Sequence, residues 1–230
     1  VFKDLNLTID SGEEIAIDGE NGAGKSTLIK LLCCFYYPDS GQILIGGIDT
    51  RLLDLSNWYK HLAYLTQEFN NFGNMTLADN VTIGDPTKPI NTAGVLSALK
   101  NADAKFWKKY KDGLSTRMSQ RYGGEEPSLG QWQKIAIARI FYRDSSVMIL
   151  DEPTASIDAV SEYKIFNELY RAITGKTLII VSHRFSTVRN AERILVLDNG
   201  NVAESGTHEE LLELDGLYSH SFRLQAKGYN

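Results

Sequence analysis

Gly19-Glu20-Asn21-Gly22-Ala23-Gly24-Lys25-Ser26 is the stretch on which the reading of this chain turns. It lies between Ile15 to Ile17, a short aliphatic run of strand character, and a helical pattern that opens at Lys25 and reaches Cys34. Strand, glycine-rich turn and helix, with the spacing G-x-x-x-x-G-K-[ST], form a cradle for nucleotide phosphates. The glycines let the backbone curl so that successive N–H groups face one anion, and the helix N-terminus adds partial positive charge. Lys25 supplies a full charge to the β and γ phosphates, and the Ser26 hydroxyl can ligate Mg²⁺. Gly19, Asn21, Gly22, Ala23, Gly24 and Thr27 complete the candidate cradle.

Outward from this turn, strand-like and helical stretches alternate. Leu5 to Ile9 and Ile15 to Ile17 flank Asp10-Ser11-Gly12 as strands flank a turn, and Gln42 to Ile45 is closed by Gly46-Gly47. Leu62 to Thr66, Val147 to Leu150, Leu178 to Val181 and Ile194 to Leu197 are aliphatic runs of the kind buried in parallel sheets. Helical patterns cover Lys25 to Cys34, Ala93 to Tyr110, Ser128 to Tyr142 and Val160 to Thr174, with two more near the C-terminus. The alternation predicts an α/β fold, a mostly parallel sheet with helices on both faces and a small antiparallel part. Residues 69–142 read as almost all helix and are expected to form a helical subdomain inserted into an α/β core of residues 1–68 and 143–230.

Composition narrows the field. The chain has 230 residues, 43% of them apolar and 23% charged, which is globular rather than disordered or fibrous. Its net charge of −5 offers no basic surface excess for nucleic acid. The longest apolar runs fall far short of a bilayer span. The two cysteines are the neighbours Cys33 and Cys34, an implausible disulfide pair, which suits a reducing compartment. The sequence opens at Val1 without Met, and reads as a domain excised from a longer chain.

A phosphate cradle alone leaves the chemistry open; Val147-Met148-Ile149-Leu150-Asp151-Glu152 adds to it. This buried strand delivers two carboxylates at its C-terminal end, where α/β sheets place ligands. Asp151 is the expected Mg²⁺-side acid, and Glu152 is expected to face the water that attacks the γ-phosphate. No Asn-Lys-x-Asp motif occurs, so guanine specificity has no support.

Ser128-Leu129-Gly130-Gln131, then Ile135-Ala136-Ile137-Ala138-Arg139, then Leu150-Asp151-Glu152-Pro153-Thr154-Ala155-Ser156-Ile157-Asp158 resemble the ATP-binding cassette (ABC) ATPases, and the likeness covers essentially the whole chain. The resemblance implies a P-loop NTPase core that binds ATP with Mg²⁺. It implies, too, that two such domains sandwich two nucleotides head to tail, the segment Ser128, Gly130 and Gln131 of one capping the ATP held by the other. It assigns Gln67 to the loop that reaches Mg²⁺ and water and meets the transmembrane helices, Asp158 to the loop that passes information across the dimer, and His183 to a switch that contacts the γ-phosphate. Asp158 can equally cap the helix after it. His61, His208 and His220 have no such context and read as surface residues. Thr207-His208-Glu209-Glu210 has capping-box spacing, and Trp132 reads as packing.

Thr76 to Val81 and Gly206 to Leu212 are similar to exporter-type cassettes, and Tyr122 to Glu126 with Gln131 to Lys134 look most like bacterial peptide or bacteriocin exporters. The expected whole is an ATP-hydrolysing motor domain on the cytoplasmic face of a membrane. Its expected partners are a second nucleotide-binding domain, as a homodimer, and a transmembrane domain of the same parent chain, with no nucleic acid. Two alternatives stay open: a cassette that binds ATP and dimerises with little hydrolysis, and a soluble, non-transport ABC ATPase.

The sequence departs from the family at Pro127 and Leu129, where Leu and Gly are usual. Leu129 is expected to pack away from the nucleotide while Ser128 and Gly130 keep their contacts. The resemblance also implies an adenine-stacking aromatic upstream of the first strand, which is expected to lie outside this sequence.

Overall fold

The computed structural model describes residues 1–228. In chain order the elements are β1 (Glu14–Gly19), α1 (Lys25–Leu32), β2 (Leu44–Ile45), β3 (Ile48–Asp49), α2 (Leu55–His61), β4 (Leu62–Leu65), α3 (Leu77–Thr82) and α4 (Thr92–Asn101). There follow α5 (Leu129–Arg143), β5 (Val147–Asp151), α6 (Ala159–Ala172), β6 (Thr177–Val181), α7 (Phe185–Val188), β7 (Arg193–Asp198), β8 (Asn201–Gly206), α8 (His208–Glu213) and α9 (Leu217–Gly228). The chain divides into two compact units: one of Val1–Tyr64, Ser146–Glu152 and the residues from Gly175 on, the other of Leu65–Ser145 and Pro153–Thr174.

The first unit is built on a six-stranded sheet in the order β4-β5-β6-β1-β7-β8, and β2 pairs with β3 in a separate antiparallel hairpin. β1 pairs in parallel with both β6 and β7, β5 pairs in parallel with β6, and β8 returns antiparallel along β7. This is the α/β class expected from the alternation. The register adds what the alternation cannot: Val181 is opposite Ile17 on one side and Asp151 on the other, so β5 and β6 finish at one level and β1 runs two residues farther, to Gly19.

Alternation along β1 and β7 explains why helices cover both faces of this sheet. Ile15, Ile17, Leu195 and Leu197 enter one cluster with Leu28 and Ile29 of α1. The intervening Ala16, Ile194 and Val196 point the other way and join Val188 of α7, Leu211 of α8 and Tyr218 of α9. A strand turns successive side chains to opposite faces, so apolar residues at every position require cover on both. β8 is the contrast: its residues are alternately exposed and half-buried, as suits an edge strand.

Leu5 to Ile9 is not a strand. Leu5, Leu7 and Ile9 do turn to the core, as their alternation predicts, but the backbone joins no ladder, and the Thr8 carbonyl accepts instead from the Arg193 guanidinium at 2.7 Å. Alternation reports which way side chains face, not whether a neighbouring strand is present.

The second unit holds α3 to α6. Each helix is fixed at its start by a side chain: Thr76 and Asp79 form a capping box on α3, Asn91 caps α4, Ser128 and Gln131 form a box on α5, and Asp158 caps α6. α4 stops at Asn101, short of the expected Tyr110, because Asp103 takes a left-handed backbone at φ 48° and the chain continues as a 3₁₀ turn over Phe106–Lys109. Trp132 is buried, as read from the sequence.

Candidate functional site

The cradle is built where β1 ends. Gly19, Gly22 and Gly24 all have positive φ, at 142°, 89° and 110°. A Cβ at Gly19 would run into the Leu197 carbonyl of the adjoining strand, so the turn leaves β1 in a way open only to glycine. α1 then begins with no side-chain cap on its N-terminal N–H groups and no acidic residue in its first turn. Those unsatisfied donors are what an anion needs. Lys25 is buried, its Nζ donating to the carbonyls of Gly19 at 2.5 Å and Glu20 at 3.0 Å. Desolvation lowers its pKa, while Asp18, Glu152 and Asp151 work to raise it.

Asp151 and Glu152 arrive from β5, two strands away. Asp151 is buried at the last strand position, and burial raises its carboxyl pKa against the pull of Lys25. Glu152 takes φ 48°, a left-handed backbone that costs a non-glycine residue about 1–2 kcal/mol. Its N–H donates to Val181 O at 2.9 Å, which anchors the turn to the end of β6. The carboxylate accepts from the His183 backbone N–H at 3.1 Å, and His183 Nε2 lies 3.7 Å from the same oxygen. Burial raises the Glu152 pKa above the ordinary value, and Asp151 adds to the effect.

His183 follows β6. Its Nδ1 lies 3.9 Å from Asp18 Oδ1, and burial together with Lys25 lowers its pKa. Both effects favour the neutral ring. Asp18 was not singled out by the sequence, where it falls between the aliphatic run ending at Ile17 and the glycine-rich turn; its carboxyl is buried, raised in pKa chiefly by desolvation, and accepts from the Gly19 N–H at 2.7 Å. Only the proximity of His183 and Lys25 distinguishes it, and that is a tertiary fact.

Three strand ends thus bring together the cradle, Lys25, Asp151, Glu152 and His183 within the first unit. The donor set suits magnesium: hard oxygens, few in number, from Ser26 and Asp151, beside a turn shaped for phosphate. Asn21 and Ser26 are exposed and Ala23 is buried along the same turn; Thr27 follows in the first turn of α1.

In the second unit, Ser128 Oγ accepts from Gln131 N–H at 3.3 Å, and Gln131 Oε1 accepts from Ser128 N–H at 3.0 Å. Gly130 lies against the loop before α6: a Cβ there would stand 2.7 Å from Ser156 O. Gln133, read in the sequence only as part of the exporter-like stretch Gln131 to Lys134, is buried and accepts from Ser156 N–H at 2.8 Å. A groove of about 540 Å³ runs along Ser128, Gly130, Gln131, Ser156, Asp158 and Lys134. Asp158 serves as the N-cap of α6, accepting from Ser161 N–H at 2.9 Å. Leu129 is 62% exposed and so does not pack into the unit, because the first turn of α5 presents it outward. Gln67 is exposed, two residues beyond β4. His208 is not a free surface residue: its Nδ1 meets the Tyr218 hydroxyl at 2.7 Å.

The ABC transporter family profile matches residues 2–155. The exotoxin translocation ATP-binding protein PaxB of Pasteurella aerogenes is 41% identical over 98% of this chain, which spans 31% of that protein. The alpha-hemolysin translocation ATP-binding protein HlyB of Escherichia coli is 38% identical over 98% of the chain, 32% of its own length. An ATP-dependent lipid A-core flippase of Alcanivorax borkumensis is 38% identical over 97% of the chain, 38% of its own length. Among solved structures, a bacterial Atm1-family ABC exporter with ATP bound superposes with a TM-score of 0.89 at 34% identity, covering 98% of this chain and 39% of that one. The chain spans about a third of the length of these curated relatives.

Proposed function

The chain belongs to the ABC transporter family, as an ATP-binding domain of the exporter type, and on that premise we propose that it hydrolyses MgATP to drive export across a membrane. The observation that carries the hydrolytic part is the meeting of Lys25, Asp151, Glu152 and His183 at one end of the sheet.

Lys25 and the amides of residues 19–26 grip the phosphates. Ser26 and Asp151 hold the metal, which when bound neutralises charge on the phosphate oxygens. Glu152 orients and deprotonates the attacking water. A carboxylate raised above its ordinary pKa is the better base, and burial provides that rise. His183, whose neutral form burial favours, donates toward charge developing on the γ-phosphate. For Gln67 the proposed role, reaching metal and water, rests on its motif.

The sandwich is completed by a second copy of this domain, whose Ser128, Gly130 and Gln131 cap the nucleotide, with Asp158 beside them. Ser128 supports this reading because it opens a helix, whose N-terminal end carries partial positive charge that favours an anion. In the proposed whole protein, a transmembrane domain carries cargo and the ATPase lies at the cytoplasmic face.

Glu152→Gln tests the proposal. ATP binding and ATP-driven dimerisation should persist while steady-state phosphate release falls about 10²- to 10⁴-fold. Undiminished turnover would remove Glu152 from the chemistry. Wild-type protein that dimerises on ATP without measurable turnover would favour the alternative of a binding cassette.

A further inference from the structure

α9 turns one face toward the segment that carries His183. Tyr218, Phe222 and Gln225 fall at i, i+4 and i+7, a single stripe on a helix. The stripe is anchored at its start, where the fully buried Tyr218 donates its hydroxyl toward, or accepts from, His208 Nδ1 and the Glu204 carboxylate accepts from the N–H groups of Leu217 and Tyr218. Farther along, Phe185 stands edge-on to both Tyr218 and Phe222, at centroid distances of 5.3 and 5.1 Å. One turn on, Gln225 Nε2 donates to the His183 carbonyl at 2.8 Å.

The backbone of His183 is therefore tied from two sides. Its N–H goes to the Glu152 carboxylate and its C=O receives Gln225. Phe185, two residues on, provides the apolar anchor. The His183 side chain is itself 44% exposed, so packing around the ring does little to fix its place.

We propose that α9 is a positioning element of the ATPase site and that Gln225 is the positioning residue that holds His183 against Glu152. The inference rests on the reading of His183 as the group facing the γ-phosphate. Gln225 touches no reacting atom; it sets the height of the His183 backbone, and a small error there is amplified at the phosphate.

The test uses the full-length protein and the variants Gln225→Ala and Gln225→Glu, with His183→Ala alongside. Loss of one hydrogen bond should lower kcat about two- to tenfold, with KM for ATP and the melting temperature unchanged. Gln225→Glu is the sharper variant. It keeps shape and helix propensity but sets a carboxylate against a carbonyl, so its kcat should fall below that of Gln225→Ala. Relative to wild type it should recover on acidification, as the carboxyl regains a proton to donate. Phe222→Leu, which trims the apolar anchor, should give a smaller kcat loss of the same kind. Wild-type kcat in both Gln225 variants, a loss that tracks a lower melting temperature, or a Gln225→Glu variant with no pH-dependent recovery would overturn the inference. If His183→Ala turns over normally, the underlying reading of His183 fails; if it does not while the Gln225 variants do, only the role of α9 fails.

Discussion

Leu129→Gly and Gly130→Ala are opposite changes on one turn of α5, and the structure predicts opposite consequences. At position 130 the added Cβ would meet Ser156 O at 2.7 Å, whereas a relaxed carbon–oxygen contact is about 3.3–3.6 Å. The loop must retreat by roughly 0.6–0.9 Å. It has little freedom to do so, since Ser156 N–H is held by Gln133 at 2.8 Å, Ile157 N–H by Thr154 O at 3.0 Å, and Asp158 caps α6. Such overpacking costs about 1–3 kcal/mol, and alanine returns about 1 kcal/mol of helix propensity. Gly130→Ala should thus lose on the order of 0–2 kcal/mol of stability. The functional loss should be larger, because a displacement approaching 1 Å in a positioned group can cost about 10² in rate. Leu129→Gly surrenders about 1 kcal/mol of propensity and little burial, since the side chain is 62% exposed. Its turnover should stay within about twofold of wild type, as no contact made by Ser128 or Gly130 depends on it. Steady-state ATPase rates against ATP concentration, paired with urea unfolding of each variant, separate the two effects. Wild-type turnover in Gly130→Ala, or a many-fold gain in Leu129→Gly, would refute the reasoning.

Three other outcomes are expected. Burial holds the Glu152 carboxyl above its ordinary pKa, so the folded state binds its proton more tightly and loses stability as pH rises through the carboxyl range; Gln escapes that loss. Glu152→Gln should therefore unfold at higher urea than wild type at pH 7, with the gap closing toward pH 4, and equal midpoints at pH 7 would contradict this. Lys25→Met removes a charged partner of phosphate and should weaken ATP binding about 10- to 150-fold in titration calorimetry; a change under threefold would take Lys25 out of the cradle. Cys33 and Cys34 are buried, with burial pushing the Cys33 thiol up to about 12 and Cys34 upward as well. Both should resist a thiol reagent at pH 8 until urea unfolds the chain, and rapid labelling of the native protein would show that α1 frays at its end.

Features of local origin were legible in the chain alone. The cradle from Gly19 to Ser26, the capping residues Asp158 and Thr207, and the buried strand ending in Asp151 each depend on residues within a turn or two of one another. Local backbone geometry and side-chain capping act over that range, so spacing is enough to read them. The α/β alternation was legible for the same reason.

Tertiary packing settled what those pieces meet. Sheet order puts β6 between β1 and β5, and register sets Ile17, Val181 and Asp151 at one level; that places His183 and Glu152 beside Lys25, although more than a hundred residues separate them from it in the chain. Asp18, Gln133 and Gln225 carry no spacing signal because their partners are distant in sequence: His183, Ser156 and His183 again. Leu5 to Ile9 shows the reverse, a strand-like alternation without a ladder. A hydrogen bond to a remote backbone depends on where two elements end, and packing of the whole sheet fixes those ends.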